Sequence, residues 1–425
     1  MGQGLSCSRD GEEHDLFRAA QVGDLAALDA LLAADRALAR RTTLYDRLSV
    51  LHVAAANAQL HVLSAFLARG AHPDALTRTK QTPLMLAAMH GNIDCLLKLL
   101  DAGANILMFD SANARTCLHH AAYYGHAECV AAVLAAARST AVAASWGFAR
   151  FVNVRDEHGA TPLHVAARQG RPGCVRLLLE QGGIVSAATG SYGFPGSTAL
   201  HLAARGGSVE CVRELLAWGA DRRQRDSAGR MAYAVALKRG HGACAALLNP
   251  AAAEPMVWPS PLKFISELNP EAKALLQAAL AEANREREKR ILTGQSEESE
   301  SEEEDESSSP VCGICLEQAP SIEVRDCGHE MCAACTLALC CHSKPNPTTL
   351  ALHPPACPFC RGAITRLLVA KPARLSRRRS MRRSDQGSSS FKGLSSAISR
   401  IGRGSGRIAD SDTLLMDMDH KPQHT

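Results

Sequence analysis

A short motif that recurs along the first half of the chain constrains the fold more than any other feature. It consists of a Thr or Ser, a leucine, often a histidine and a pair of alanines, and its aligned leucines lie 33, 34, 45 and 37 residues apart. These leucines are Leu51, Leu84, Leu118, Leu163 and Leu200. Recurrence at such a period predicts stacked units that bury their apolar faces against one another.

Each copy of the motif predicts a pair of short helices. In the best preserved copy, Thr161 is placed to cap the first helix and Pro162 to occupy its first position. Leu163 and two alanines form a narrow apolar stripe, and Gly170 ends the helix. The period and the Thr-Pro-Leu-His pattern resemble ankyrin repeats. The resemblance implies a helical solenoid over residues 14–249, with degenerate units at both ends.

Histidines and cysteines also recur at fixed positions of the repeats. We interpret both sets as structural, because stacked units hold equivalent positions apart and so prevent them from sharing a metal ion. The histidines are His52, His119, His164 and His201, and the cysteines are Cys95, Cys129, Cys174 and Cys211. Insertions near residues 138–151 and 188–196 carry an unusual share of the few aromatic residues, Phe148 and Phe194 among them, and indicate a binding face.

Nine of the 16 cysteines lie between Cys312 and Cys360. Clustered Cys-x-x-Cys pairs favour metal binding over disulfides, and seven cysteines with one histidine suit two tetrahedral zinc ions. The predicted ligands are Cys312, Cys315, Cys327, His329, Cys332, Cys335, Cys357 and Cys360. Cys340 and Cys341 are left over; they are either alternative ligands or, as we favour, unliganded thiols.

This spacing resembles the RING finger of the C3HC4 type, here predicted over residues 310–365. The resemblance implies interleaved ligation, in which one ion is held by Cys312, Cys315, Cys332 and Cys335 and the other by Cys327, His329, Cys357 and Cys360. It also implies that Ile314, Pro358 and Leu337 (or Leu339) contact a ubiquitin-conjugating enzyme. Arg361, directly after the last ligand, would bridge that enzyme and ubiquitin. No covalent catalytic residue is expected, and the alternative is a RING used only for dimerisation.

Charge divides the remaining sequence into segments. Residues 296–306 hold eight acidic side chains, and residues 371–383 hold seven basic ones. Such blocks predict a disordered acidic linker at 293–309 and a disordered basic tail at 366–425. Residues 250–292 predict a linker followed by a helix that begins at Asn269-Pro270. No basic patch interleaved with aromatic residues is present, so no nucleic-acid partner is expected.

The N-terminal sequence matches a lipidation pattern. Gly2 follows Met1 and precedes Ser6 at the spacing for myristoylation, and Cys7 is placed for palmitoylation. We therefore interpret residues 1–13 as a lipidated segment and expect a peripheral plasma-membrane protein with a cytoplasmic pool. The basic residues Arg377, Arg378 and Arg379 indicate the nucleus as a weaker alternative. No apolar run is long enough to predict a transmembrane helix.

The order of modules resembles a plant family of ankyrin–RING ubiquitin ligases over residues 1–370. The resemblance implies a zinc-dependent RING-type ubiquitin transferase whose partners are a ubiquitin-loaded conjugating enzyme and a protein substrate selected by the repeats. Some members associate with receptor kinases at the plasma membrane, so a receptor kinase is a further expected partner. The competing hypothesis is a non-catalytic membrane scaffold, which has no need of Ile314, Pro358 and Arg361.

Overall fold

The computed structural model describes residues 6–139, 146–190, 193–258, 267–293, 311–341 and 354–370. Over these ranges the protein is mostly helical, with one small sheet towards the C-terminal end. The described residues up to position 370 form one compact unit with two hydrophobic cores. Of the segments predicted to be disordered, 293–309 and 366–425, residues 294–309 and 371–425 lie outside the described residues. The prediction is wrong for Thr293, which ends a helix, and for Arg366–Val369, which form a strand.

Pairs of short helices follow one another as the repeats predict. The first helices of successive units contact each other and form what we call the first-helix row: α3 (Val50–Ala56), α5 (Pro83–His90), α7 (Cys117–Tyr124), α10 (Pro162–Arg168), α12 (Ala199–Gly206) and α14 (Ala232–Arg239). The second helices form another row: α4 (Leu60–Ala68), α6 (Ile93–Asp101), α8 (Ala127–Ser139), α11 (Pro172–Glu180), α13 (Val209–Ala217) and α15 (Gly242–Leu248). A short helix α9 (Phe148–Val152) lies between α8 and α10.

The first unit begins earlier than the sequence indicates. Helix α1 (Ser6–Val22) is followed by α2 (Leu25–Ala34) and a 3-10 turn (Arg36–Arg40), and α1 packs against α3. The predicted boundary between residues 13 and 14 therefore falls inside a helix. Residues 1–5, including Gly2, lie outside the described residues, so the structure does not bear on their proposed lipidation.

One histidine in each of four units links its own helix to the following unit. Nδ1 of His164 accepts the Thr161 hydroxyl at 2.8 Å, and Nε2 lies 2.9 Å from the carbonyl oxygen of Ala187. The same two contacts are made by His52, His119 and His201. Because a carbonyl oxygen only accepts hydrogen bonds, Nε2 carries the proton. Nδ1 also accepts a backbone amide, that of Thr161 at 3.2 Å in the case of His164, so it carries no proton and the ring is neutral. The structural role predicted for these histidines is confirmed.

The repeat cysteines belong to the core of the solenoid. Cys95, Cys129, Cys174 and Cys211 are at most 1% exposed and pack within the same hydrophobic cluster. Burial raises the pKa of the Cys174 thiol to about 11, so the thiol is neutral at physiological pH. A buried neutral thiol behaves as a small apolar side chain, and the predicted packing role is confirmed.

The second core lies in the C-terminal module, which we define as residues 267–293, 311–341 and 354–370. It contains helices α16 (Pro270–Thr293) and α17 (Ala333–Cys341) and a sheet of β1 (Glu267–Leu268), β2 (Ile322–Val324), β3 (His329–Met331) and β4 (Arg366–Val369). The strand order is β1-β4-β2-β3, with β1 parallel to β4 and the other pairs antiparallel. Strand β4 extends beyond the boundary predicted at residue 365.

Helix α16 is part of this module rather than a spacer before it. Asn269 caps the helix as predicted, since its Oδ1 accepts the Glu271 amide at 3.0 Å. Ala272, Leu276 and Leu280 recur at four-residue spacing and form one buried stripe in the second core. The sequence predicted the helix correctly but gave no partner for its apolar face.

The described part of the segment predicted as a linker, residues 250–258, is fixed between the two modules. The Trp258 amide donates to the carbonyl of Ala217 at 2.7 Å, and Arg287 of α16 donates to the carbonyl of Ala253 at 2.7 Å. Arg213 of α13 forms an ion pair with Glu288 of α16. Residues 250–258 therefore attach the C-terminal module to the last repeats. Among the described helices, none is long and apolar enough to span a bilayer.

The buried histidines make the solenoid sensitive to acid. Burial lowers the pKa of His119 and of His164 to about 4, whereas an unfolded histidine titrates near 6.5. Between these values only the unfolded chain binds the proton, so stability is full above about pH 6.5 and falls as pH decreases. We expect each of the two histidines to reduce the free energy of unfolding by about 2 kcal/mol at pH 5.

Denaturant unfolding of wild type and His164→Gln at pH 7.5 and pH 5 tests this expectation. The glutamine variant is less stable at pH 7.5 but should lose less stability on acidification, because the side chain does not titrate. Comparing the two proteins removes contributions from other titrating groups. An identical pH dependence in both would contradict the neutral, buried state of His164.

Candidate metal centre and partner surface

Two clusters of metal-ligating side chains lie in the C-terminal module. Cys312, Cys315, Cys332 and Cys335 form the first, and Cys327, His329, Cys357 and Cys360 form the second. Within each cluster the potential ligand atoms all lie within 4.8 Å of one another. The structure thus brings together the two ligand sets that the resemblance implies. The sets are interleaved, since pairs of ligands from the first and second clusters alternate along the sequence.

The first cluster has the dimensions of a tetrahedral zinc site. Two sulfur atoms bound to one zinc ion at about 2.3 Å lie about 3.8 Å apart in a tetrahedron. The Sγ atoms of Cys315 and Cys332 are 3.8 Å apart. Burial opposes ionisation of Cys312, but amide hydrogen bonds from Cys332, Cys315 and Ile314 outweigh it and lower the pKa of this thiol to about 7. A thiolate is the form that binds metal.

The second cluster contains a ring nitrogen without a protein partner. Nδ1 of His329 is buried and makes no hydrogen bond with the described residues. An unpaired buried nitrogen is unfavourable, and a metal ion held by this histidine and the thiols of Cys327, Cys357 and Cys360 would relieve it. The residues present therefore fit zinc, which prefers thiolate and imidazole ligands.

Two backbone turns with the same conformation present the Cys-x-x-Cys pairs, and we call them knuckles. In the first, the Leu316 amide donates to the carbonyl of Cys312 at 2.9 Å, and Leu316 has a φ of 63°. In the second, the Arg361 amide donates to the carbonyl of Cys357 at 2.8 Å, and Arg361 has a φ of 61°. Each turn thus ends on a non-glycine residue in the left-handed region, directly after the last cysteine of the pair.

Phe359 joins the two knuckles and was missed in the sequence analysis. Its ring stacks on His329 with centroids 5.2 Å apart and an angle of 22°. A Cβ atom on Gly313 would lie only 3.2 Å from this ring, so glycine allows the first knuckle to approach it. The sequence did carry a signal for this contact, namely an aromatic residue between the last two ligands. A large ring beside a cysteine pair is expected to pack against a neighbouring turn.

Protein-family models agree with this geometry. The model described as the E3 ubiquitin-protein ligase XB3/XBAT31 RING finger matches residues 311–366. Ankyrin repeat models match residues 16–110, 107–189 and 195–227. Both modules expected from the sequence are therefore present, in the expected order.

Two relatives align with nearly the whole chain. The rice protein E3 ubiquitin-protein ligase XB3 is 68% identical over 100% of this chain and 100% of its own. The Arabidopsis thaliana protein Putative E3 ubiquitin-protein ligase XBAT31 is 56% identical over 98% of this chain and 99% of its own. The chain belongs to the XB3/XBAT31 family of E3 ubiquitin-protein ligases. Among solved structures, the human ASB11 ankyrin repeat domain is 30% identical over 56% of this chain and 99% of its own, with a TM-score of 0.47.

In this RING finger, three of the predicted partner-contacting residues are accessible. Ile314 is 37% exposed, and Pro358 and Arg361 are exposed. They lie on the two knuckles that Phe359 holds together. Leu316, at 69% exposure, lies on the first knuckle and adds apolar surface that the sequence analysis did not single out. Their roles in binding remain predictions.

Leu337 differs from its predicted place. It is 1% exposed and belongs to the second hydrophobic core, so it has almost no surface to offer a partner. The reason is that helix α17 packs against α16, which the sequence analysis treated as separate from the RING finger. Leu339, the alternative named above, is only partly buried and is the better placed of the two leucines.

Cys340 and Cys341 lie outside both ligand clusters of the described residues. Cys340 is fully buried in the second core, and Cys341 donates its thiol hydrogen to the carbonyl of Val257 at 3.4 Å. The prediction that these two thiols are unliganded therefore agrees with the structure, and one of them helps to attach the segment before α16.

The ligand assignment predicts a difference between two cysteine substitutions. Cys312→Ser should lower the zinc content of the purified protein, because a hydroxyl is a poor substitute for a thiolate ligand. Cys341→Ser should leave it unchanged, since serine retains the donor to Val257. Zinc is measured by atomic emission on full-length protein after dialysis. Equal zinc loss from both variants would contradict the assignment of ligands.

Proposed function

We propose that this family member transfers ubiquitin from a conjugating enzyme to substrate lysines without forming a covalent intermediate itself. The supporting observation is that Phe359 holds two knuckles together, one with Ile314 and the other with Pro358 and Arg361. An apolar patch with a charged residue at its edge suits a transient protein interface. Both metal clusters use four protein ligands, which leaves no open coordination position for chemistry.

The proposed reaction takes place on the conjugating enzyme. The amine of a substrate lysine attacks the thioester carbon of ubiquitin, an amide bond forms, and the thiol of the conjugating enzyme leaves. Lysine gives up the proton that the thiol gains, so the ligase need supply neither a nucleophile nor a proton. Its contribution is to hold the thioester and the ubiquitin tail in one reactive orientation, which lowers the entropic part of the barrier.

Arg361 is the residue that we assign to this orientation. Its guanidinium is a planar group with several donors and can bind the conjugating enzyme and ubiquitin together. The backbone at Arg361 has a φ of 61°, a conformation that favours glycine. The presence of arginine at this position therefore calls for a functional reason. A side chain in that conformation destabilises the chain by about 1 kcal/mol. The Arg361 side chain is exposed, so burial offers little structural compensation for this cost.

We assign two zinc ions to the RING finger, one for each cluster. When bound, zinc would supply folding free energy to a module whose own core is small. The chain passes from one cluster to the other through β2 and β3, which lie between ligands of both clusters. Loss of one ion would therefore disturb the ligands of the other. The residues that would hold the ions are also those that shape the two knuckles, so metal content and partner binding are expected to be lost together.

The repeats are the proposed substrate-binding module. They bury their cores internally and leave loops and helix ends exposed, which is how solenoids present extended binding surfaces. A receptor kinase is one candidate substrate or partner suggested by the family. The competing scaffold function would use the same repeats, and it differs in requiring no contact between a conjugating enzyme and the knuckles.

Two substitutions on the knuckles separate ligase from scaffold. Arg361→Gly should leave folding and zinc content intact, because glycine suits the local backbone, and should slow ubiquitin discharge by about tenfold or more. Ile314→Ala should instead weaken binding of the conjugating enzyme. Arg325→Ala, an exposed arginine of the same module outside the knuckles, serves as the control. Discharge of ubiquitin from a loaded conjugating enzyme onto free lysine is measured for each full-length variant. Normal discharge from both knuckle variants would favour the scaffold.

We further propose a lipid anchor at the N-terminus, with myristate on Gly2 and palmitate on Cys7. The support comes from the sequence pattern alone. Each buried methylene contributes about 0.8 kcal/mol, so one myristoyl chain binds reversibly and a second signal is needed for stable attachment. The basic residues at 371–383 could add attraction to an anionic leaflet. The proposed location is the plasma membrane, with a cytoplasmic pool.

Two N-terminal substitutions should then reduce membrane binding to different extents. Gly2→Ala removes the myristoylation site and should release the protein from membranes. Cys7→Ser leaves one acyl chain and should give exchangeable binding. Membrane fractionation with a C-terminal tag measures both, and added salt should remove any fraction held by the basic tail. Equal membrane fractions for wild type and Gly2→Ala would favour the nuclear alternative at Arg377–Arg379.

A further inference from the structure

Equivalent positions of the first-helix row carry a run of basic residues. The position seven residues after each N-cap lies at or near the end of its helix. From α3 to α14 this position is occupied by Ala56, Met89, Tyr123, Arg168, Arg205 and Lys238. Because stacked units align equivalent positions, the last three form a positively charged stripe on the later repeats.

Phe194 holds two of these arginines in place. The guanidinium carbon of Arg168 lies 4.8 Å from the centre of the Phe194 ring, and that of Arg205 lies 4.2 Å from it. Phe194 comes from the insertion between α11 and α12. Arg168 and Phe194 also line a cavity of about 290 Å³, whose walls include His158 and Tyr123. Cation–π contact restricts the guanidinium groups, so less conformational entropy is lost when they bind an anion.

The positive charge of this stripe is not neutralised locally. Arg168 and Arg205 make no hydrogen bond or ion pair with side chains in the described part of the chain. The nearby carboxylates are already engaged: Asp156 accepts from Arg115 and from the Ala160 amide, and Asp226 pairs with Arg230. Burial lowers the pKa of Arg205, repulsion by Arg239, Arg230 and Arg168 lowers it further, and the Asp226 carboxylate partly opposes them.

We infer that Arg168, Arg205 and Phe194 form a binding site for an acidic peptide segment of a protein substrate. The planar guanidinium fork matches a carboxylate with two parallel hydrogen bonds. Both guanidinium carbons lie close to the centre of the Phe194 ring, so the distance between them cannot exceed the sum of their distances to that centre. Such a separation suits carboxylates that neighbour each other along an extended chain. This inference rests on the proposed role of the repeats in substrate selection and adds the chemistry of the segment they select.

Peptide binding to the full-length protein tests the site. The probe is a fluorescein-labelled peptide of alternating Glu and Ala, with a Gln-for-Glu peptide as its uncharged counterpart, and anisotropy is the readout. Arg168→Ala and Arg205→Ala should each weaken binding of the acidic peptide by about tenfold, the usual effect of losing a charged hydrogen bond. Phe194→Leu should weaken it less, because both charges remain.

The control is another arginine stacked on a phenylalanine. Arg138 lies 4.5 Å from the centre of the Phe148 ring, but it belongs to α8 in the second-helix row. Arg138→Ala should bind the acidic peptide as wild type does. Affinity for the acidic peptide should also fall with added salt, whereas the Gln peptide should bind weakly at any salt concentration.

Several results would overturn the inference. These are equal binding of the acidic and Gln peptides, unchanged affinity in the Arg168→Ala Arg205→Ala protein, or binding of a phosphoserine peptide with none of the acidic one. A further overturning result is stronger peptide binding after the acidic residues at 296–306 are neutralised. It would show that this segment of the chain itself occupies the site, rather than a segment of a substrate. Ubiquitin discharge onto free lysine, measured on the same proteins, separates this failure from failure of the ligase function, because that reaction needs no peptide site.

Discussion

The hydrogen bond from a repeat histidine to a backbone carbonyl of the next unit is the constraint on which the solenoid depends. Nε2 of His52, for example, lies 3.0 Å from the Gln81 carbonyl, while Nδ1 is occupied by Ser49. One neutral ring thus fixes both the start of its own helix and the position of the next unit. Apolar packing alone would tolerate small slips between smooth alanine-rich helices, whereas a directional bond to one carbonyl does not. The alignment of Arg168 with Arg205 follows from this register.

A different constraint organises the C-terminal module. Its sheet has short strands and its core is small, so the two ligand clusters are what fix the positions of the knuckles. Helix α16 then serves both modules. Ala272 and Leu276 are buried against the RING finger, while Glu288 pairs with Arg213 of the last repeats. The ion pair is polar and partly exposed, so it adds orientation more than stability. Orientation is what a ligase needs if its catalytic contribution is to place reacting groups.

The parts of the site that could be predicted from the sequence are those in which chemistry dictates spacing. Zinc requires four ligands, so seven cysteines and His329 were sufficient to predict two sites, whereas their grouping into interleaved sets came from the resemblance to RING fingers. Capping at Thr161 and Asn269 was predictable because orphan helix amides need a nearby acceptor. Leu337 was assigned to the partner surface by the resemblance to RING fingers, and the sequence around it does not show which neighbouring helix covers it. That neighbour, α16, lay in a segment whose Pro-rich and Ala-rich start resembled a spacer. The carbonyls of Ala217 and Ala253 that fix this segment carry no sequence signal, since every residue has one.

A fixed connection between the modules changes how substrate lysines would be selected. A flexible spacer would let many lysines of a bound substrate reach the thioester, at an effective concentration set by spacer length. Here the Trp258 amide is bonded to Ala217 and Asn284 of α16 is bonded to both backbone groups of Met256, so residues 250–258 do not provide that freedom. The motion that brings a substrate lysine to the thioester must then come from the conjugating enzyme, from ubiquitin or from the substrate. A substrate whose acidic segment bound at Arg168 and Arg205 would have its lysines placed relative to Arg361 by the protein itself. Selection would depend on where a lysine lies as much as on whether the substrate binds.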